Sequence, residues 1–300
     1  MASSGTLPSV AALAHRRANR RGIRMMVAAM VCFVLNDTLV KYVSESLPAA
    51  QLIFMRGFLA SVFVFGVALA SGVALRPREL ARGWIARRAV IDAVASVLFL
   101  VSLFQLPLAN ATAISMSAPL FITVLAVVLL RERVDAPRWF AIAVGFLGVV
   151  LVIRPGMEGF NAYALLCLAA TLLHAVRDLA TRRIAPGVSS LAITFATAVA
   201  VTLLSGVLSL FEGWRAFGLR EFGLLATAAA FLAAGYFLVV GSVRNGDISV
   251  TAPWRYTGML WAVLLGWAVW GHVPDGLAWA GIALLVCAGL YLVQRDRMRH

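Results

Sequence analysis

Charge is scarce in this chain. Of its 300 residues only 13% are Asp, Glu, Lys or Arg, and 62% are hydrophobic, whereas an ordinary soluble domain carries roughly 25% charged residues. That shortage excludes a conventional water-soluble fold. Ten-residue segments of alternating polarity are missing as well, which argues against a membrane β-barrel. What remains is a bundle of spanning helices whose backbones satisfy their own hydrogen bonds. The three cysteines, Cys32, Cys167 and Cys287, stand singly in apolar runs, without the paired spacing of a metal or redox site. No HExxH, aspartate-rich box, Walker lysine or GxSxG occurs, so the chain reads as neither an enzyme nor an ATP-driven pump, with no metal and no cofactor expected. A cleavable leader is not expected either. The basic cluster Arg16, Arg17, Arg20, Arg21 and Arg24 follows the weakly apolar start of the chain, when in a leader it would precede the apolar run.

Apolar runs near the length that crosses a bilayer core of about 30 Å recur throughout. Spans are expected at about 23–44, 49–70, 88–106, 109–130, 136–153, 161–181, 188–210, 219–242, 247–270 and 276–293. Short connections make consecutive spans antiparallel. The net charge of +13 would suit a nucleic-acid binder only if gathered on one soluble face. Here the arginines sit in tails and alternate loops. With the N-terminal cluster go Arg76, Arg78, Arg82, Arg87 and Arg88, then Arg131, Arg133 and Arg138, Arg182 and Arg183, Arg244, and the C-terminal Arg295, Arg297 and Arg299. Only Arg154, Arg215 and Arg220 fall on the opposite side. The positive-inside rule then places both termini in the cytoplasm, and the expected partner is the lipid bilayer, not nucleic acid.

The sequence repeats itself. Asn36-Asp37 with Lys41 aligns with Arg177-Asp178 and Arg182, and Ser-Met-Ser-Ala-Pro119 aligns with Ser-Val-Thr-Ala-Pro253. Trp139 and Trp279 extend the match into the fifth and tenth spans. The expected organisation is a basic tail (1–22), a first five-span repeat (23–155), a second (160–294) and a short C-terminus (295–300). Five is odd, so the second repeat starts on the opposite side of the membrane from the first. The fold class expected is therefore all-α and integral to the membrane: ten helices in two inverted five-helix repeats around a central cavity, a design common among secondary transporters.

Charges inside spans are functional candidates because lipid makes them costly. They are Asp37, Lys41, Arg56, Asp92, Arg177, Asp178 and Arg255. Asp37 with Lys41, and Asp178 with Arg182, have the favourable acid-first i,i+4 order. Depth along the helices makes Arg56 a partner for Asp37 and Arg255 a partner for Asp178, so each cluster is read as a gate on one face, or as a static pair holding helices together. Asp92, four residues after Arg88, reads as structural. Pro119 and Pro253 free the carbonyls of Ser115 and Ser249 and are read as hinges. Cavity candidates are Asn36, Phe99, Ser117, His174, Tyr236, Trp254, Arg255 and Tyr256, with Trp261 and Phe237 as further aromatic wall. Among the intramembrane charges the cations exceed the acids by one, which leaves room for a substrate carboxylate beside aromatics.

Taken in order, these features resemble the drug/metabolite transporter superfamily in its EamA-type branch. The residues that carry the likeness are Asn36-Asp37 to Lys41, Arg56 after a short loop, the two Ala-Pro helices at Pro119 and Pro253, and the Arg131-Glu132-Arg133 turn. The resemblance implies a cavity lined by spans one, three, four, six, eight and nine, alternating access, and a small-molecule cargo. Bacterial exporters of amino acids, aromatic ones included, look most similar, and riboflavin and S-adenosylmethionine carriers share the pattern. One departure stands out: where that branch often carries an acid after the ninth span, this chain has His272. A single chain suffices for this reading.

Overall fold

The computed structural model describes residues 10–131, 135–156, 160–185, 187–245 and 247–297. Residues 1–9, Glu132 and Arg133 of the Arg-Glu-Arg turn, and Arg299 lie outside them. Among the described residues the chain is helical, with no strand. The first helix, α1, runs Val10–Val43, well upstream of the expected start near residue 23. The Ala- and Arg-rich stretch before the membrane is made of good helix formers, so it continues the span instead of forming a loose tail.

The remaining helices are α2 (Ala49–Ala70), α3 (Gly83–Gln105), α5 (Ala136–Ile153), α6 (Tyr163–Thr181), α7 (Ser190–Glu212), α8 (Leu219–Asn245) and α10 (Gly276–Arg297), with two broken spans between them. The fourth span, α4, has the segments Leu108–Ser115 and Ala118–Leu130. The ninth, α9, has Ile248–Thr251, a 3-10 turn Ala252–Tyr256, and Thr257–Trp270. Among the described residues nine stretches are long and apolar enough to cross a membrane, the two segments of α4 counting as one; α9, divided by its 3-10 turn, is not among them. Both breaks fall at the prolines. Pro119 and Pro253 sit in the first turn of the segment that follows each break, where a missing N–H costs nothing.

Packing carries the repeat into three dimensions. Helix α1 packs on α8 as α6 packs on α3, α1 on α9 as α6 on α4, and α2 on α8 as α7 on α3. The pairs α2–α7, α4–α9 and α5–α10 each join a helix to its own counterpart. Exchanging every helix for the one five places along therefore carries each of these principal contacts onto another of them, as expected of two halves related by an axis in the membrane plane. With ten spans, both termini lie on one face, called here the terminal face; the other is the distal face.

The α5–α10 contact shows how closely these helices approach. A Cβ on Gly148 would stand 2.6 Å from the carbonyl oxygen of Gly281, and one on Gly281 would stand 2.6 Å from that of Gly148. Small residues at such crossings let backbones pack directly in lipid. A Gly148→Val substitution should destabilise the protein by about 1–3 kcal/mol, read as a lower unfolding temperature in detergent. Gly66→Ala, where nothing lies within 4 Å of the added carbon, should show no such loss.

Candidate functional site

A cavity of about 440 Å³ opens at mid-membrane between the two halves. It is lined from α1, α2, α3, α4, α6, α7, α8 and α9, so α2 and α7 join the six spans expected, while α5 and α10 stay outside. Its floor towards the terminal face includes Asp178 and Thr194, one turn from the ends of α6 and α7. Towards the distal face the lining stops at Asp37, Arg56 and Leu100, more than a turn short of the helix ends.

Half of the charged residues lining the cavity, Asp92, Arg177 and Asp178, belong to one network across α3 and α6. Arg177 Nη1 donates to Asp92 Oδ1 at 2.7 Å, while its Nε and Nη2 reach Asp178 Oδ1 at 2.9 and 2.8 Å. Asp92, only 4% exposed, is also 3.5 Å from Arg88 Nη1 and 3.8 Å from His174 Nε2. Arg88 further donates to Thr181 and Thr197 at 2.8 and 2.7 Å. The i,i+4 spacing of Arg88 and Asp92 was legible in the sequence, but their reach across to α6 was not. Asp178 is paired with its neighbour Arg177, and neither the Asp178–Arg255 nor the Asp178–Arg182 ion pair is present.

On α1 the arrangement is looser. Asn36 Nδ2 donates to Asp37 Oδ1 at 2.8 Å, and Arg56 Nε donates to Asn36 Oδ1 at 3.2 Å. Asp37 and Arg56 are thus linked through the buried Asn36 and form no direct ion pair. Arg255, on the 3-10 turn of α9, lines the cavity, is exposed to it, and has no hydrogen-bond or ion-pair partner among the described residues. The apolar wall is Phe33 stacked edge-on against Tyr236, with centroids 5.3 Å apart, and Phe99 near His174 at 6.3 Å.

Between this cavity and the distal face lies a layer of interhelical contacts. Lys41, the single lysine of the chain and 6% exposed, does not pair with Asp37. Its Nζ donates to the carbonyls of Leu103, Phe104 and Leu106 at 2.8, 3.0 and 2.7 Å. Those carbonyls end α3 just before Pro107 and lack helical partners. The negative end of the helix dipole favours a cation there. The same ammonium lies 5.5 Å from the Trp270 ring centroid, and Trp270 Nε1 donates to Glu45 at 2.6 Å. Nearby, buried Gln51 exchanges two hydrogen bonds with the backbone of Arg215 at 2.8 and 2.9 Å, and Glu212 accepts from the first two amides of α2.

Among the cavity candidates, Asn36, Phe99, His174, Tyr236 and Arg255 line the space, as do Asp37, Arg56, Arg177 and Asp178. Ser117 is fully buried with its hydroxyl on the Ile114 carbonyl at 2.6 Å, and Ser115 and Ala118 take its place. Trp254 is exposed outside the lining. Tyr256 turns to α10, its hydroxyl over Gly289. Arg182 lies beyond the end of α6. Residues that sequence reasoning passed over include Ser96, Thr194 and Thr197. Of these Thr197 carried a signal, since it aligns with Arg56 in the repeat. Among the described residues no group of three or more His, Cys, Asp and Glu could hold a metal ion.

Compared with known proteins, the chain matches the EamA-like transporter family twice, over residues 20–154 and 161–294. The chain belongs to the EamA-like transporter family. It is thus a multi-pass membrane protein of a family that moves small molecules. It is similar to the pseudopaline exporter CntI of Pseudomonas aeruginosa, at 27% identity over 91% of this chain and 96% of that one. It is similar also to a riboflavin transporter of Vibrio cholerae (25%; 91% and 93%) and an S-adenosylmethionine uptake transporter of Rickettsia bellii (24%; 92% and 94%). One solved structure aligns with a TM-score of 0.61 at 20% identity, covering 92% of this chain and 99% of that one, which supports the fold alone.

The two arginines of the second repeat should behave oppositely. Arg177→Met leaves two carboxylates short of their shared partner, a loss on the order of 3 kcal/mol. Arg255→Met removes no intramolecular bond and should stay within about 0.5 kcal/mol of the parent. Thermal unfolding in detergent separates the two, and equal losses would show that Arg255 is structurally engaged.

Proposed function

We propose that this protein is a secondary transporter of the bacterial inner membrane, with both termini cytoplasmic, that exports amino acids with apolar or aromatic side chains by alternating access. The observation that supports the reading is Arg255: a guanidinium in the cavity lining with no hydrogen-bond or ion-pair partner among the described residues, in a lining that also carries aromatic rings. Desolvated cations are retained where something else completes them, and a planar guanidinium is the group best shaped to hold a carboxylate through two hydrogen bonds. Phe33, Phe99 and Tyr236 then receive the side chain. The cavity volume of 440 Å³ lies at the small end of the range for ligand pockets. The described state, sealed distally by Lys41, is the one that loads from the cytoplasm. Pro119 and Pro253, at the breaks in α4 and α9, are the hinges about which the halves rock, and Asp37, Lys41, Arg56, Arg177, Asp178 and Arg182 belong to the gates.

The relatives named for riboflavin and S-adenosylmethionine support a second reading, a carrier of a larger metabolite. Counterflow in proteoliposomes decides between them. Phenylalanine, methionine or threonine loaded inside should drive uptake of the labelled compound, and riboflavin and S-adenosylmethionine should not. No exchange of phenylalanine, methionine or threonine would overturn the first reading. Arg255→Met should weaken exchange about 10- to 100-fold, the equivalent of a charged hydrogen bond of about 1.5–3 kcal/mol, and Arg255→Lys should restore part of it.

A further inference from the structure

The cavity holds three carboxylates, and they are not held alike. Asp92 has Arg88, Arg177 and His174 around it, and Asp178 has two nitrogens of Arg177. Asp37 has no ion-pair partner among the described residues. Its one hydrogen bond comes from a neutral amide, Asn36 Nδ2. A bare carboxylate at membrane depth is stabilised either by a proton or by a cation brought in from outside.

The surroundings of Asp37 fit that alternation. Arg56 on α2 donates to Asn36 Oδ1 and places its charge near Asp37, but forms no ion pair with it that would occupy the carboxylate. From α8, Tyr236 faces the same space without a charge. Asp92 on α3 and His174, Arg177 and Asp178 on α6 are bound into their own network, and Arg255 on α9, unlike Arg56, has neither a hydrogen bond nor an ion pair among the described residues. Asp37 and Arg255 are therefore the acid and the base of the lining left most open, and they match the ammonium and carboxylate of an amino acid.

Building on the amino-acid reading above, we propose that Asp37 is the coupling site, occupied in turn by a proton and by the ammonium group of the substrate. The two exclude each other because both neutralise the same carboxylate. Loading from the terminal face displaces the proton: the carboxylic acid gives up H⁺ to water and the carboxylate pairs with the ammonium. After release at the distal face, Asp37 takes up a proton from that side and carries it back. One turnover moves a net-neutral zwitterion outward and one proton inward, so the cycle is electrogenic and responds to both the pH gradient and the membrane potential.

The test uses the full chain purified in detergent at low buffer capacity, with a pH-indicator dye and phenylalanine as the probe. Adding phenylalanine should release up to about one proton per bound molecule. The release should vanish at high pH, where Asp37 is already ionised. The sign follows from competition: below the titration of Asp37, apparent affinity should fall by up to about tenfold per pH unit as pH drops. Asp37→Asn should bind more weakly, with no proton release and an affinity independent of pH, and Asp37→Glu should recover both. Phenylalanine exchange with no proton release and a flat pH profile would overturn the coupling proposal while leaving the amino-acid reading intact. Proton release persisting in Asp37→Asn would also overturn it, moving the site to Asp178 or His174. Absence of any amino-acid exchange would overturn the amino-acid reading and this proposal together.

Discussion

A charge carried into hydrocarbon must be answered from another helix, and that requirement organises this protein. Arg177 ties α6 to α3 through Asp92, and Arg88 returns the tie through Thr181 and Thr197. Lys41 ties α1 to the end of α3. Removing any of these ions leaves its partner uncompensated in low dielectric, where the penalty is largest. The apolar surface of each helix cannot do this work, because lipid satisfies it equally well. Position in the bundle is therefore set by polar contacts and by close glycine crossings such as Gly148 on Gly281.

The two halves share a neighbour map but not a chemistry. Where α6 meets α3 the contact is ionic. Its counterpart, α1 against α8, carries Phe33 stacked on Tyr236 and nested over Gly235, where an added Cβ would meet the ring at 2.7 Å. Ionic networks have a few well-defined geometries, while a ring over a glycine shelf resists sliding much less. In the alternating-access reading, symmetry of the backbone permits two states related by the pseudo-two-fold axis, and asymmetry of side chains weights them. A carrier needs that weighting to be small, since a ligand shifts the balance only by its differential affinity for the two states.

Much of this was legible in the residues. Composition dictated a helical membrane bundle, the odd number of spans in each repeat dictated inversion, and the rarity of intramembrane charge picked out Asp37, Arg56, Arg177, Asp178 and Arg255, all of which line the cavity. Partner choice was less legible. Lys41 was matched to Asp37 by spacing along one helix, but the carbonyls left open at Pro107 lie on a helix whose proximity no spacing encodes. Trp254 and Tyr256 failed for a local reason. The turn after Thr251 is 3-10, with about 3.0 residues per turn in place of 3.6. A wheel drawn through it at α-helical pitch therefore loses register, and of the three neighbours only Arg255 faces inward.

Arg255, without a partner among the described residues, sits on this same 3-10 turn opened by Pro253. Asp178, the acid expected to hold it, is already held by two nitrogens of Arg177. A regular helix through the same residues would point a different side chain at the cavity. The break in α9 is thus more than a concession to Pro253. By placing a cation with no partner among the described residues in the cavity lining, it supplies the feature on which the proposed amino-acid reading rests.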